Sequence, residues 1–315
     1  YNDKRKQHLL ASMQEEMGKT VTTEFAYFDP GKTTNPHDYT RTPGGSSSGS
    51  AAVVAAHMAP LAIGTQTNGS VIRPASYCGV VGYKPSFGLI SRTGILKQSL
   101  KLDQVGVFGK TVEDVALLAK ALIKKDILDD DTVHYAADEM LEVCKKGPIF
   151  EPKFIFYKTP SWKKISKESH KAFEFLLKEF KNNIEVFDEP SYFKDIPKYH
   201  QIIHETDMAN SFQDFYKKSK KKMGKKLVEA IERGLKYSAK DYVDAVDFMK
   251  QSYKSYSEVF EDYYGVITPA SIGVANKGLL STGSPELSTI WTYMGLPTIS
   301  LPLLSGENNL PLGVQ

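Results

Sequence analysis

Two short polar turns carry the residue types from which a reaction could be built. Residues 43–50 read PGGSSSGS and residues 65–70 read TQTNGS, with the apolar run AAVVAAHMAPLAIG between them. Neither turn holds an acid. Thr67-Asn68-Gly69-Ser70 is a tight turn after a strand-like run, and successive backbone N–H groups in such a turn can point inward and form an anion nest. A hydroxyl beside a nest suits acyl transfer, which needs a nucleophile next to donors aimed at a developing oxyanion. Gly44-Gly45-Ser46-Ser47-Ser48 adds hydroxyls that could relay a proton. Ser46 and Ser70 stand 24 positions apart, a suitable length for a helix and strand that bring the turns together.

A rival reading starts from Gly45-Ser46-Ser47-Ser48-Gly49, which fits GxSxG. A nucleophile elbow needs a strand just before it, a helix just after, and a His and an acid elsewhere. The helix is expected, but Tyr39–Pro43 is turn-like and Pro43 disfavours a sheet ladder. None of the seven histidines (8, 37, 57, 134, 170, 200 and 204) sits in a recognisable catalytic context. His57 reads as a core or rim residue, and His204 reads as structural more readily than as a pocket residue.

Composition excludes several other classes. The 315 residues carry 40 basic and 37 acidic side chains, a net charge of +3, so no nucleic-acid partner is expected. The run KKSKKKMGKK (217–226) reads as a solvated helix end, since no aromatic stacking residues are interleaved. Cys78 and Cys144 form no metal-ligand spacing or disulfide framework, and Cys78 reads as a small buried hydrophobe. No metal and no cofactor is expected. No apolar run is long enough for a membrane helix, and a cytoplasmic location is expected.

The elements that must position the turns follow from hydrophobic periodicity. A helix is expected over 3–17, with Leu9, Leu10, Met13 and Met17 on one face. Val21, Thr23, Phe25 and Tyr27 alternate as in a strand. A short apolar helix is expected over 50–58, and strands in PLAIGTQT and CGVVGYKPS. TVEDVALLAKALI predicts an amphipathic helix opened by Thr111. FIFYKTPS predicts a strand, followed by a helix-rich block over about 166–262 with apolar faces at Phe173/Leu176/Leu177/Phe180 and Leu227/Ile231/Leu235. YGVITPAS returns to a strand, and WTYMGLPTISLPLL begins as a helix and ends as a strand. Alternation at both ends predicts a single α/β domain with a helical block inside it.

The quoted turns, extended to PGGSSSGSAAVVAA and GTQTNGSVIRPASYCGVVGYKPSFG, resemble the amidase signature family. So do GKTVTTEFA, LDQVGVFGKTVEDVALL, FEDYYGVITPAS and WTYMGLPTISLP, so the similarity runs over nearly the whole chain. The resemblance implies a Ser–cis-Ser–Lys hydrolase of carbon–nitrogen amide bonds, built on a large mixed β-sheet surrounded by helices. It matches Ser70 to the nucleophile and Ser46 to a serine that follows a cis peptide. It matches Thr67, Asn68, Gly69 and Ser70 to the oxyanion amides. A neutral lysine is implied as the final base, and a lysine is neutral at working pH only in a setting that depresses its pKa.

Departures from the family pattern define further expectations. No lysine before Ser46 matches the family's, which places that lysine upstream of Tyr1. The chain is therefore expected to be a piece clipped at both ends that, alone, turns over amides poorly. Gln66 stands where many members have Asp, and Asn68 where many have Gly. Arg73 and Gln66 are candidates for substrate binding, Arg73 by bidentate capture of a carboxylate, although a structural partner for loop carbonyls is the stronger reading of Arg73.

Three functions compete. The first is an amidase acting on a small or medium amide through a Ser70 acyl-enzyme with Ser46 as relay. The second is the amidase subunit of a glutamine-dependent aminoacyl-tRNA amidotransferase. The third is a lysine-free homologue that binds without catalysis. The expected partner is a small-molecule amide; a homodimer is entertained, and the second reading adds a partner subunit.

Overall fold

The structure is a computed structural model that describes residues 17–315. The helix expected over 3–17 lies outside the described residues, apart from its last position.

Two helix–strand units carry the polar turns. Helix α1 (Ser48–Ala55) leads to strand β1 (Ala62–Gln66), and helix α2 (Ile72–Cys78) leads to β2 (Val81–Lys84). Strand β3 (Gln104–Gly109) pairs antiparallel with both β1 and β2, and Gln66 faces Gln104 at the end of the β1–β3 ladder. Helix α3 (Val112–Leu122) follows, capped by Thr111 as its sequence predicted; the structure adds a return bond from Asp114 that completes a capping box. Helix α4 (Met140–Lys146) and strand β4 (Phe154–Lys158) come next.

The helix-rich block comprises α5 (Lys167–Glu179), strand β5 (Ile184–Asp188), α6 (Ile196–Ser211), α7 (Gln213–Ser219), α8 (Lys225–Gly234), α9 (Ala239–Ser257) and α10 (Val259–Asp262). Strand β6 (Gly265–Ile267), helix α11 (Glu286–Tyr293) and strands β7 (Thr298–Ser305) and β8 (Pro311–Val314) complete the order. β4 pairs parallel with β5 and β6, while β2–β7 and β7–β8 are antiparallel. A bridge between Pro269 and Val314, with paired Thr268 and Gln315 amides, joins the parallel strands to β8. The result is a mixed α/β fold: a five-stranded antiparallel sheet in the order β1-β3-β2-β7-β8 and a three-stranded parallel sheet in the order β5-β4-β6, linked by this bridge and flanked by helices.

One apolar cluster lies beneath both turns. Ala51 and Val54 of α1, Val71, Ala75 and Cys78 around α2, Val80, and Phe108 of β3 are buried together. Full burial of such side chains contributes about 1.5–3 kcal/mol each for the larger ones. The packing is close: a Cβ on Gly64 would meet Ser47 Oγ at 2.5 Å and Phe108 Cε2 at 2.8 Å.

Two sequence expectations need correction. Residues 21–27 form no strand; Glu24–Ala26 is a 3-10 turn, and Phe25 and Ala26 take φ of 47° and 58°. The alternation there serves packing instead, with the Phe25 ring edge-on to Phe212 and Phe215. The helical faces are also narrower than read, since Phe180 and Leu235 are exposed.

Candidate active site

Of the five serines in the two turns, three are occupied by the fold. Ser47 Oγ donates to the Thr65 carbonyl at 3.3 Å and accepts from the Thr65 N–H at 3.2 Å. Ser48 Oγ donates to the Gly44 carbonyl at 2.7 Å. Ser50 Oγ donates to the Ile63 carbonyl at 2.8 Å and lies 2.9 Å from Thr20 Oγ1. The Ser47 and Ser50 bonds fasten the start of α1 to β1, and the Ser48 bond closes the turn before it. The hydroxyls of Ser46 and Ser70 make no hydrogen bond among the described residues, although both residues are buried. The Gly45–Ser46 peptide is cis.

The two turns touch through the backbone. The Ser47 N–H donates to the Ser70 carbonyl at 3.4 Å. Arg73, fully buried, donates from Nη2 to the Gly45 carbonyl at 2.6 Å and from Nε to the Thr282 carbonyl at 2.7 Å. Burial lowers its pKa to about 10, yet the guanidinium stays charged near neutral pH. Its Nη1 is buried without a partner and lies over Gly69, where an added Cβ would come within 3.0 Å.

Every carbonyl of the turn Thr67–Ser70 is held. Thr67 O lies 2.9 Å from His200 Nε2, Asn68 O accepts from Thr292 Oγ1 at 2.5 Å, and Gly69 O accepts from the Arg73 N–H at 3.0 Å. In a trans peptide the C=O and the following N–H point in opposite directions. Fixing the carbonyls of Thr67, Asn68 and Gly69 therefore fixes the N–H groups of Asn68, Gly69 and Ser70. Those three amides donate to nothing among the described residues. The arrangement is a set of preorganised donors beside a free hydroxyl.

The side chains of the turn face outward from it. Thr67 Oγ1 donates to Asp103 Oδ1 at 2.6 Å, and Asp103 Oδ2 accepts from the N–H groups of Gln98 and Ser99. Burial raises the Asp103 pKa to about 6 against these bonds. Asn68 Oδ1 accepts from Thr289 Oγ1 at 2.7 Å. Gln66 is fully buried; its Oε1 accepts from the N–H groups of Val71 and Ile72 at 2.8 and 3.0 Å, and its Nε2 donates to Thr292 Oγ1 at 2.9 Å. The amide thus satisfies two orphan donors at the start of α2. Gln66 and Arg73 both have their hydrogen-bonding groups turned into the fold, apart from Arg73 Nη1.

Lys84 is the most perturbed lysine among the described residues. Burial pushes its pKa down to about 7. Its Nζ donates to Gln104 Oε1 and the Leu296 carbonyl, each at 2.5 Å, and to the Pro85 carbonyl at 3.3 Å. These contacts hold Nζ against the oxygens of Gln104, Pro85 and Leu296, so Lys84 braces β2 against β3 and the end of α11. No described lysine hydrogen-bonds to Ser46 or Ser70. Cys78 is buried with its thiol pKa pushed up by desolvation, and its Sγ lies 3.4 Å from the Pro43 carbonyl, a packing role.

His200 went unread in the sequence as a partner of the turn. Its only signal in the sequence was its position one helical turn before His204, in no recognisable catalytic context.

A family model named Amidase matches residues 11–315. The chain belongs to the Amidase family. It is 33% identical to the A subunit of glutamyl-tRNA(Gln) amidotransferase from Ruminiclostridium cellulolyticum, over 95% of this chain and 70% of that protein. The crystal structure of the corresponding A subunit from Thermotoga maritima superposes with a TM-score of 0.81 at 29% identity, covering 98% of this chain and 71% of that one. The fold also matches 6-aminohexanoate cyclic dimer hydrolase in complex with substrate, with a TM-score of 0.85 at 22% identity over 98% of this chain and 73% of that one. Within this Amidase chain, no helix among the described residues is long and apolar enough to cross a membrane.

Proposed function

We propose that this protein hydrolyses a carbon–nitrogen amide bond of a small or medium substrate through an acyl-enzyme on Ser70. The observation that carries the proposal is the sorting of the serines. Ser47, Ser48 and Ser50 are consumed by the backbone, while Ser46 and Ser70 keep free hydroxyls beside three unpaired, aimed amides.

Ser70 Oγ attacks the carbonyl carbon and its proton passes to Ser46. The oxyanion is received by the N–H groups of Asn68, Gly69 and Ser70. Ser46 then returns a proton to the departing amine, and water cleaves the ester by the same relay. The relay must end on a base, and the family resemblance implies a neutral lysine; Lys84 does not fill that role, because its protons face Gln104, Pro85 and Leu296. Arg73, without a described carboxylate partner, adds positive potential over Gly69, which favours the oxyanion.

A second reading is supported by the relatives that belong to glutamyl-tRNA(Gln) amidotransferases. The same acyl chemistry on glutamine would then deliver ammonia to a partner protein. Incubating the full-length protein with simple aliphatic amides and with glutamine, in hydroxylamine, tests both: hydroxylamine captures the acyl group as a hydroxamate. Hydroxamate from amides, lost in Ser70→Ala, supports the first reading. Hydroxamate from glutamine alone favours the second. Turnover unaffected by Ser70→Ala removes the nucleophile assignment.

A further inference from the structure

The helical block reaches the turn through one face of α6. His200, His204 and Asp207 recur at the spacing of a single helix face, and all three are buried. Each touches a loop of the site. His200 Nε2 lies 2.9 Å from the Thr67 carbonyl oxygen, and His204 Nε2 lies 2.9 Å from Gln98 Oε1. Asp207 Oδ2 accepts from Ser99 Oγ at 2.6 Å and from the Lys101 N–H at 3.3 Å, while its Oδ1 accepts from Tyr242 OH at 2.9 Å.

We infer that His200 is a positioning residue for the oxyanion turn: by donating from Nε2 to the Thr67 carbonyl, it aims the Asn68 N–H into the site. The inference rests on the Ser70 reading above. A carbonyl can only accept, so the proton must sit on Nε2. The Thr67–Asn68 peptide is trans, so a donor fixed on its C=O turns its N–H the opposite way, away from α6. Thr67 is gripped from both ends, since Asp103 holds its hydroxyl at 2.6 Å. Without His200 the peptide plane would be free to rotate, and the Asn68 N–H would no longer be preset for the developing charge. Burial keeps the imidazole neutral, with its pKa lowered to about 4, so its protonation state is constant across the neutral range. Asn68 O, by contrast, is held by Thr292 Oγ1 of α11, so two helices from different parts of the chain each aim one amide.

The test uses the full-length protein and an alkyl fluorophosphonate, which phosphonylates an activated serine. The wild type, His200→Ala, His200→Gln and His204→Gln are compared for the rate of labelling at Ser70, with melting temperature recorded for each. His200→Ala should slow labelling by about 10-fold or more, given that losing one oxyanion donor costs on the order of 10²-fold. His200→Gln, which retains an N–H donor, should recover to within about 3-fold of the wild type. His204→Gln, on the same helix face but bonded to Gln98, should lower the melting temperature without slowing labelling. For turnover of an amide, kcat should fall in His200→Ala with KM unchanged. Unchanged labelling in His200→Ala overturns the inference, as does equal slowing in all three variants. A wild type that never labels at Ser70 overturns the Ser70 reading instead.

Discussion

Arg73 Nη2 donates to the Gly45 carbonyl oxygen at 2.6 Å, and Arg73 lies only three positions after Ser70. One buried guanidinium therefore ties the peptide that precedes Ser46 to the helix that follows Ser70. Its fork also reaches the Thr282 carbonyl, so three segments distant in sequence share one side chain. Arg73→Met would leave the Gly45 and Thr282 carbonyls buried without donors, at about 1–3 kcal/mol each. A loss of about 2–5 kcal/mol by urea denaturation is expected. Arg73→Lys keeps charge but not the fork, and should recover less than half of that loss.

Gly44 offers a backbone test of the same contact. Its φ is +84°, and an added Cβ would come within 2.8 Å of Pro74 Cα. Both the left-handed conformation and the clash are with backbone, so neither relaxes by a rotamer change. Gly44→Ala should cost about 2 kcal/mol or more and should reduce Ser70 reactivity, because the two turns are pressed apart. Equal stability in the variant would contradict the close approach.

The acid limb of stability should report the α6 histidines. Burial lowers the pKa of His200 to about 4, and that of His204 well below the usual histidine value. Below pH 6.5 the unfolded chain binds protons that the folded state refuses, so stability falls as pH drops from about 6.5 towards 4. Asp103 opposes this: its folded pKa of about 6 means the folded state binds the extra proton between pH 4 and 6. Glu189, whose pKa burial raises to about 7, opposes it too, so the histidine contribution is read from variants rather than from the wild-type slope. His204→Gln should flatten the slope of unfolding free energy between pH 6.5 and 5, and Asp103→Asn should steepen it.

Lys84 predicts a slope on the alkaline side. Its folded pKa of about 7 lies below the ordinary value of 10.5. Between pH 7 and 9 the unfolded lysine holds a proton that the folded one has released, so wild-type stability rises with pH through this group. Denaturation of the wild type and Lys84→Met at pH 7 and pH 9 isolates the effect. The wild type should gain stability relative to the variant at the higher pH; a constant difference would mean the folded ammonium stays charged, held by Gln104, Pro85 and Leu296.

Much of the site was legible because short polar turns carry local signals. Glycine spacing and hydroxyl density in 43–50 and 65–70 singled out the serine turns, and Thr111 with the amphipathic run after it declared its helix. Strand β3 was not read, because Gln104–Gly109 is buried on both faces and so lacks alternation, with two glycines interrupting its apolar run. The 21–27 segment misled for the converse reason: alternation is present, but Phe25 and Ala26 take left-handed backbone angles and the rings pack on the helical block. The grip on the turn carbonyls was invisible, since His200 and Thr292 are 133 and 224 positions from the residues they hold. Only tertiary structure brings such groups together. Gln66, read as a candidate for binding substrate, spends both ends of its amide on α2 and Thr292.

The central claim is that Ser70, rather than any neighbouring serine, is the nucleophile. Treating the full-length protein with a fluorophosphonate and mapping the modified peptide tests it most directly. The account predicts a single adduct on Ser70 that disappears in Ser70→Ala and forms slowly in Ser46→Ala. An adduct on Ser46, Ser47, Ser48 or Ser50, or undiminished labelling of Ser70→Ala, would contradict it.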